Sequence, residues 1–526
     1  MNIKTETNGI GSGSFVTPGL DNLPNGILKY RYDRSNVTAS HVHIGLGSFA
    51  LAHIAAIADK YMSETGNLDW GIIGVAMHNR GTIDGLKKAQ NRIVLVQREN
   101  ETETVSVLGS LLETIFVPDD PALLIKTIAR PMTKLLTFTV TSSGHYMRDQ
   151  TGTLNMTATE IVHDLDYRGD PSDSPKTIYW VIAKALEERM KLEDQSGVPL
   201  PLTVLSLDNI PTNSKALKKA AIQYIRASYE NPHKLLEWIE NRVDFRVTVV
   251  DRITPKDTVE FHDEFVAQYG FDPTVLIATE KKWQLAVEKG RFWVPEWTKI
   301  GVKEVEDIQK IWQAKFFGLN AAHQILGTFG LRLGLQFIHE AMEIPELAEL
   351  VALFHRELGT FLGYDVMKEY GETVRSRFAD RALKDQNRRV VKDARKKASE
   401  RVAYAFEMVL ENSNGAILAR AATFTFAGWL LNIDCVDERG IEFVQDDPDL
   451  VRLKEISDDI AQWLRGEQED RGVAHILRHI GELFGDNRMI MLASKSSFVQ
   501  ELAWSLRELA ASGTIVATRK LLSSSR

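Results

Sequence analysis

The chain has 526 residues, of which 44% are apolar and 25% charged, so it carries enough apolar material for two packed domains. Its formal net charge of −8 argues against the concentrated basic face that nucleic-acid binding needs, and we expect no nucleic-acid partner. The single cysteine, Cys435, excludes an intramolecular disulfide and a thiolate-rich metal site, which is typical of a reducing compartment.

The sequence shows neither a membrane segment nor an export signal. No apolar run approaches the roughly 20 residues that span a bilayer. Residues 1–19 are rich in Gly, Ser and Thr and lack the apolar core of a signal peptide. We therefore expect residues 1–29 to form a flexible tail, and the protein to be cytoplasmic with no membrane partner.

Strand-like and helical segments alternate from His41 to about residue 300. Helical patterns such as Thr177–Lys191 and Ser214–Tyr229 lie between short apolar runs that predict strands. This alternation is typical of a parallel sheet covered by helices on both faces. The strand-like runs begin at His41 and continue with Trp70–Met77, Leu135–Thr141, Leu202–Leu207, Phe245–Val250 and Val275–Ala278.

Helical periodicity dominates from Val302 onward. We therefore predict an α/β domain over residues 30–300, followed by a mainly α-helical domain over residues 301–526. The predicted helical stretches are Glu304–Ala341, Ile344–Leu362, Asp393–Glu411, Ala416–Leu431 and much of the remaining C-terminal third.

A glycine-rich turn, Gly45-x-Gly47-x-Phe49, follows the first predicted strand and opens a predicted helix. Glycine permits positive φ and lets a phosphate approach the backbone, and the helix N-terminus favours a pyrophosphate. The third glycine of the dinucleotide fingerprint is missing, and a tight turn without a ligand would explain the same residues. The strand-turn-helix context favours a Rossmann-type domain that binds NAD or NADP.

Arg80 follows the second predicted strand, where an acidic residue usually binds the 2′-hydroxyl of NAD. A base at this point can accommodate the 2′-phosphate of NADP. The alternative interpretation is a solvated arginine in a loop.

Lys315, Asn320 and His323 lie within one long helical pattern. At about 100° per residue, Asn320 lies about 140° and His323 about 80° around the helix from Lys315. Desolvation lowers the pKa of a lysine, so a buried Lys315 could take a proton from an alcohol, while the amide and imidazole stabilise the alkoxide. The alternative is a lysine that extends from the helix edge to solvent. A metal is not expected here, because no second histidine lies near His323 in the helix.

Two polar turns follow predicted strands, at Asp208-Asn209 and at Asp251-Arg252. In an open α/β sheet, ligands bind beyond the carboxyl ends of the strands, and these residues are candidates for that position. Each of them alone is more often a cap or a turn residue.

These segments resemble the polyol-specific long-chain dehydrogenases, most closely the mannitol 2-dehydrogenases. The similarity runs from about residue 41 to the C-terminus. It includes His43–His53, Val250–Pro255, Phe337–Met342 and the Lys-x4-Asn-x2-His spacing of the lysine helix. The resemblance implies a metal-independent, monomeric NAD(P)-dependent enzyme that oxidises a polyol to a ketose, D-mannitol to D-fructose or D-arabinitol to D-xylulose.

The resemblance also implies individual roles. Lys315 would be the general base, Asn209 and Asn320 would hold the reacting oxygen, and His323 would bond the substrate near that carbon. Asp251, Arg389 and Lys397 would contact substrate hydroxyls. The cofactor would be bound by Ile44, Gly45, Gly47, Ser48, Phe49 and Arg80.

The sequence departs from the family pattern at several positions. Thr141–Tyr146 lacks a glutamate, Trp312 replaces an acid before the lysine, and Leu51 replaces an arginine. Where NAD-type relatives carry Glu-Asp, this chain has Arg80-Gly81. These departures leave two alternatives open: a uronate reductase of the same family acting on fructuronate or tagaturonate, and a non-catalytic dinucleotide-binding regulator.

Overall fold

A computed structural model describes residues 23–525 except 142, 149–150, 171, 256–257, 293, 416–417 and 467–470. The chain divides into two compact units, the first ending at Ile308 and the second beginning at Gln309. Most of the predicted tail, residues 1–22, lies outside the described residues, but Ile27–Lys29 form a strand rather than a tail. No helix in the described ranges is long and apolar enough to cross a membrane.

A six-stranded parallel sheet forms the centre of the first unit. Numbered along the chain, its strands in spatial order are β6 (Leu111–Phe116), β3 (Ile72–Ala76), β2 (His41–Ile44), β7 (Leu135–Phe138), β8 (Leu202–Ser206) and β9 (Val243–Phe245). This is the order of the doubly wound dinucleotide-binding fold, and it reverses direction between β2 and β7. Strands β2, β3, β7 and β8 are buried along their whole length, as a sheet covered on both faces requires.

Two smaller sheets complete the first unit. A four-stranded sheet contains, in order, β1 (Ile27–Lys29), β5 (Thr102–Leu108), β4 (Ile93–Glu99) and β11 (Leu276–Glu280). A three-stranded sheet contains β10 (Thr248–Asp251), β12 (Gln284–Glu288) and β13 (Lys303–Val305).

The smaller sheets correct part of the sequence analysis. The predicted strand at 245–250 joins the large parallel sheet only through Phe245, the last residue of β9, because β10 pairs antiparallel with β12. The predicted strand at 275–278 corresponds to β11, which pairs with β4 in the four-stranded sheet. Strand β13 pairs with β12, so the first unit continues beyond residue 300.

Helices cover the large sheet, and buried polar side chains fix them to it. The guanidinium of the buried Arg189 donates to the carbonyls of Ile128, Leu200 and Pro201, which ties its own helix to the end of a second helix and to the start of β8. The helices of this unit are α1 (Ser48–Ala52), α2 (Ile54–Thr65), α3 (Arg80–Lys88), α4 (Pro121–Ala129), α5 (Thr159–Asp166), α6 (Ile178–Ser196), α7 (Asn213–Ser228), α8 (His233–Arg242) and α9 (Val259–Tyr269).

The second unit is helical, and two of its helices have π geometry. Its apolar core contains the fully buried rings of Phe317, Phe329, Phe354, Phe406 and Phe424. The helices are α10 (Gln309–Gln313), a π-helix (Ala314–Ala321), α11 (Ala322–Arg332), α12 (Ile338–Met342), α13 (Pro345–Leu362), α14 (Tyr364–Phe378), α15 (Asn387–Val390), α16 (Ala394–Lys397), a second π-helix (Ala398–Ala403), α17 (Tyr404–Asn412), α18 (Arg420–Leu431), α19 (Leu450–Leu464), α20 (Arg471–Phe484), α21 (Asn487–Leu492) and α22 (Ser496–Ser523).

Candidate functional site

The glycine turn lies where the order of the large sheet reverses. Gly45 follows β2 with φ +109°, and a Cβ at this position would lie 2.1 Å from the carbonyl oxygen of Thr139, just beyond β7. The Thr139 hydroxyl donates to the Gly45 carbonyl at 2.6 Å. Only glycine fits both the positive φ and this close contact. The two strand ends are therefore held together at the carboxyl edge of the sheet, where this fold binds ligands.

Gly47 and its neighbours leave room for a bound group. Apart from Gly47 itself and its two chain neighbours, no described heavy atom lies within 4 Å of the point that a Cβ of Gly47 would occupy, and Gly47 and Ser48 are exposed at the start of α1. Phe49 stacks on the ring of His53 at 4.9 Å. The side chain of Ile44 is fully buried in the sheet core, so it supports the turn from below. A pyrophosphate could approach this backbone without displacing side chains.

Arg80 follows β3 and lies in the first turn of α3, not in a loop. Its guanidinium forms two hydrogen bonds with the carboxylate of Asp119, and it lies 4.4 Å from the centre of the Phe116 ring. Both charged side chains are about half exposed. A 2′-phosphate that bound Arg80 would therefore have to share the guanidinium with Asp119.

Asp208 organises the polar turn after β8. Its carboxylate accepts hydrogen bonds from the Val140 amide at 2.6 Å, the His145 ring at 2.9 Å and the Ser206 hydroxyl at 2.7 Å. These bonds join the ends of β7 and β8. The next residue, Asn209, is exposed beside them. Asp208 thus positions Asn209 and has a structural task of its own.

The second polar turn belongs to a different sheet. Asp251 is the last residue of β10 and is buried. Arg252 is also buried, and it donates to the carbonyls of Ala52 and Glu280. Arg252 therefore ties β11 to the end of α1, while Asp251 is the member of the pair that is left as a substrate candidate.

Lys315 and Asn320 lie on the first π-helix, which corrects the uniform α-helix expected from the sequence. In a π-helix the hydrogen bonds join residues i and i+5, and such segments are frequent at functional sites. Lys315 and Asn320 are five residues apart, which is the span of one such hydrogen bond. The two residues are therefore closer in angle than the about 140° that an α-helix would give.

Lys315 and Asn320 are both buried, each with 8% of its surface exposed. The Asn320 Nδ2 group has no hydrogen-bond partner within the described part of the chain. A buried amide donor without a partner costs free energy, so its persistence suggests that it serves a ligand. Burial of Lys315 also contradicts the alternative in which its side chain extends from the helix edge to solvent.

His355, which the sequence analysis missed, braces this π-helix. Its Nε2 donates to the carbonyl of Gly318 at 2.7 Å, and its Nδ1 accepts from the Arg375 guanidinium at 3.2 Å. Burial lowers the pKa of His355 to about 4. The ring is therefore neutral at pH 7 with the proton on Nε2, and it holds a π-helix carbonyl between Lys315 and Asn320.

His323 belongs to a charged cluster with Asp385, which precedes α15, and Arg389, which lies on α15. Its Nε2 lies 3.2 Å from Asp385 Oδ2, and Arg389 forms two 2.6 Å hydrogen bonds with the same carboxylate. The ring stacks on Phe378 at 4.7 Å. Burial lowers the pKa of His323, and the adjacent histidine and arginine hold the pKa of Asp385 well below its usual range. His323 is thus a neutral ring next to a permanent carboxylate.

Asp385 is the second residue that the sequence analysis missed. The signal was present, because Asp385 and Arg389 have the i, i+4 spacing of a helical ion pair. The pairing changes the interpretation of Arg389, whose positive charge is already neutralised by Asp385.

Lys397 and the residue that follows His323 donate to the same backbone carbonyl. The Lys397 Nζ donates to the Val390 carbonyl at 2.9 Å, and Gln324, adjacent to His323, donates to the same oxygen at 2.9 Å. Burial, aided by the nearby Arg401, lowers the pKa of Lys397 to about 7. The structure therefore brings His323, Arg389 and Lys397 into one region of the second unit.

Family models match both units in order. The model described as "Mannitol dehydrogenase Rossmann domain" matches residues 39–305, and the model described as "Mannitol dehydrogenase C-terminal domain" matches residues 307–508.

Individual relatives cover nearly the whole chain. Mannitol dehydrogenase DSF1 of Saccharomyces cerevisiae is 28% identical over 93% of this chain and 94% of its own length. Mannitol 2-dehydrogenase of Pyricularia oryzae is 27% identical over 93% of this chain and 94% of its own length. The solved ternary complex of Pseudomonas fluorescens mannitol 2-dehydrogenase with NAD and D-mannitol has a TM-score of 0.78 and 25% identity, covering 96% of this chain and 98% of that one. The Rossmann-type sheet, the glycine turn and these matches together establish that the chain is an oxidoreductase of the mannitol dehydrogenase family.

Proposed function

We propose that the protein catalyses the reversible oxidation of a polyol secondary alcohol to a ketose with NAD or NADP, and that Lys315 is the general base. The observation that carries this proposal is the π-helix of the second unit. It holds a buried lysine and, five residues later, a buried amide whose donor has no partner among the described residues. A base and a hydrogen-bond donor are what removal of a proton from an alcohol requires.

The first unit fits a dinucleotide. Gly45 keeps the backbone tight against Thr139, and the open space at Gly47 and the exposed Ser48 suit a pyrophosphate at the start of α1. Arg80 would lie near the adenosine ribose. When bound, the nicotinamide ring accepts a hydride from the carbinol carbon.

The residues of the chain supply the proton chemistry. The Lys315 amine takes the proton of the reacting hydroxyl, and Asn320 Nδ2 donates a hydrogen bond to the oxygen as negative charge develops there. Asn209 would donate to the same oxygen. The alcohol carbon then loses hydride, a C=O bond forms, and Lys315 is left protonated, so protons and electrons balance.

The remaining candidates would hold the substrate. His323 is a neutral ring suited to a hydroxyl near the reacting carbon, and Asp251, Arg389 and Lys397 offer further polar contacts. D-Mannitol and D-fructose are the pair we propose first, because the bound polyol in the Pseudomonas fluorescens complex is D-mannitol. D-Arabinitol and D-xylulose are the second pair.

Initial rates of fructose and xylulose reduction with NADH and NADPH test the proposal. We expect turnover with at least one ketose and one cofactor, and loss of it in Lys315→Ala. Reduction of fructuronate but neither ketose would replace the substrate with a uronate. Tight NADH binding without turnover of any of these compounds would favour a regulatory protein and overturn the proposal. The monomeric state and cytoplasmic location stay predictions, which size-exclusion chromatography and localisation of a tagged chain would check.

A further inference from the structure

Two histidines and an aspartate form a separate cluster in the second unit, away from the lysine helix in sequence. His475 and His479 lie one turn apart on α20, and Asp459 lies on α19. One ligand atom from each of the three side chains lies within 4.8 Å of the other two. His479 Nδ1 is 2.8 Å from Asp459 Oδ2, and the two imidazole centres are 6.1 Å apart.

The apolar core fixes these helices in the orientation that the cluster needs. Ile456 and Ile460 of α19 and Ile476 and Ile480 of α20 are all buried in the same core. The polar residues next to them in sequence therefore lie at the edge of this contact. The side chains of Asp459 and His479 are 20% and 30% exposed, and His475 is exposed. The ligand atoms are thus held by two packed helices and remain accessible to an ion from solution.

The donor set is that of a divalent transition metal. Two imidazole nitrogens and one carboxylate oxygen suit Zn²⁺, with water in the remaining position, and they suit Ni²⁺ and Cu²⁺ as well. Histidines at i and i+4 project from one face of a helix, which brings two nitrogens to one ion. Glu455 Oε2 lies 3.9 Å from His479 Nε2 and adds a second negative charge beside the cluster. The carboxylates favour a dication over an anion at this point.

We propose that His475, His479 and Asp459 bind one divalent transition-metal ion, which joins α19 to α20. The site is distinct from the residues assigned to the polyol reaction. Its expected consequence is greater stability of the second unit, because an ion that binds only the folded chain stabilises it by mass action. The rival explanation is a hydrogen-bonded Asp459–His479 pair with His475 as a bystander.

Calorimetric titration of the chelator-treated full-length protein with ZnCl₂ tests the site. We expect one ion to bind at this site, and His475→Ala and His479→Ala each to weaken its binding at least about tenfold. Because His475 is exposed, its removal should leave the fold intact. Asp459→Asn, which keeps the shape of the side chain, should weaken binding by a similar factor.

His262→Ala is the matched control. It removes another partly exposed histidine that contacts an aspartate, Asp272 at 3.0 Å, and it should leave the affinity unchanged. In thermal unfolding, Zn²⁺ should raise the Tm of wild type and of the control, but not of the His475→Ala/His479→Ala double variant. Equal Zn²⁺ affinity in wild type and all three cluster variants would overturn the proposal. The proposal would also be overturned if binding weakened in Asp459→Asn and His479→Ala but stayed unchanged in His475→Ala, because His475 would then not be a ligand.

Discussion

Lys315 and Asn320 lie five residues apart on one π-helix, and the carbonyl of Gly318 between them accepts a hydrogen bond from His355. The geometry that relates the proposed base to the proposed donor therefore depends on a helix type that is less common than the α-helix. Two groups stabilise it: the neutral imidazole of His355 and the guanidinium of Arg375 behind it.

Replacing Lys315 tests the proposed base. We expect Lys315→Ala to lower kcat about 10²–10⁴-fold, the range that general base catalysis usually contributes. NADH affinity, measured by fluorescence titration, should not change, because the glycine turn belongs to the first unit. Lys310→Ala removes an exposed lysine on α10, five residues earlier, and serves as the control. Wild-type turnover in Lys315→Ala would refute the base assignment.

His355 is a positioning residue, and its hydrogen bond can be removed at similar size. We expect His355→Phe to lower kcat roughly tenfold or more, because small displacements of catalytic groups are costly. NADH affinity should be retained. His355→Gln keeps a donor that can reach the Gly318 carbonyl, so it should recover much of the loss. Equal activity in the Phe and Gln variants would mean that the hydrogen bond does not set the geometry.

Asp385 should control the substrate side of the site. Asp385→Asn removes the charge that Arg389 and His323 face, and hydrogen bonds to charged groups contribute about 1.5–3 kcal/mol. We expect the KM for the ketose to rise roughly 10–100-fold. Asp446→Asn breaks the ion pair between Asp446 and Arg388, two side chains that are each about half exposed. It should have little effect on the KM for the ketose. If the two variants behave alike, Asp385 has no special role.

The Arg80–Asp119 pair should determine cofactor preference. Asp119→Asn leaves the Arg80 guanidinium without its carboxylate, so we expect kcat/KM for NADPH relative to NADH to rise roughly tenfold. Arg80→Glu should move the ratio in the opposite direction. Glu113→Gln, an exposed acid on β6, is the control. An unchanged ratio in both Arg80 and Asp119 variants would show that Arg80 does not contact the cofactor.

Glu357 should make stability depend on pH. Burial raises its pKa to about 8, although its carboxyl group accepts from the amides of Arg420 and Ala421 at the start of α18. Because the pKa of Glu357 is higher in the folded than in the unfolded state, the contribution of Glu357 to stability is fully present below its unfolded pKa. It is lost as pH rises through the folded pKa.

The free energy of unfolding should therefore fall by about 1 kcal/mol per pH unit between pH 5 and 8 because of this group. Glu357→Gln should flatten that slope in thermal unfolding. The control is Glu343→Gln, which alters an exposed pair with Arg381. The same slope in wild type and Glu357→Gln would contradict the assignment.

The sequence predicted the parts of the fold that repeat a strong pattern. The buried strands β3, β7 and β8 appear as nearly continuous apolar runs, as is typical of parallel sheets, whereas β2 alternates two histidines with Val42 and Ile44. No strand was predicted between Met77 and Leu135, although β4, β5 and β6 lie there. Of these, β5 alternates and has exposed or half-exposed residues at its start, so its apolar signal is weak.

The sequence indicated which residues belong to the candidate site, but not the geometry that relates them. Lys315, Asn320 and His323 could be selected from spacing, but no sequence signal distinguished the π-helix from an α-helix. Asp119 and His355 pair with residues 39 and 37 positions away, which periodicity cannot detect. Asp385 differs from Asp119 and His355, because its i, i+4 spacing from Arg389 is a signal that the sequence does contain.

The π-helix makes the geometry of the site depend on the number of residues between Lys315 and Asn320. Substitutions, which leave that number unchanged, would not reveal this dependence. A π-turn holds one more residue than an α-turn, because its hydrogen bonds join residues five apart instead of four. Deleting a single residue between Lys315 and Asn320 would let the segment relax to α geometry while every proposed catalytic side chain remained in the protein. An alignment that placed a one-residue gap here would thus separate chains with the same catalytic residues but different active-site architecture.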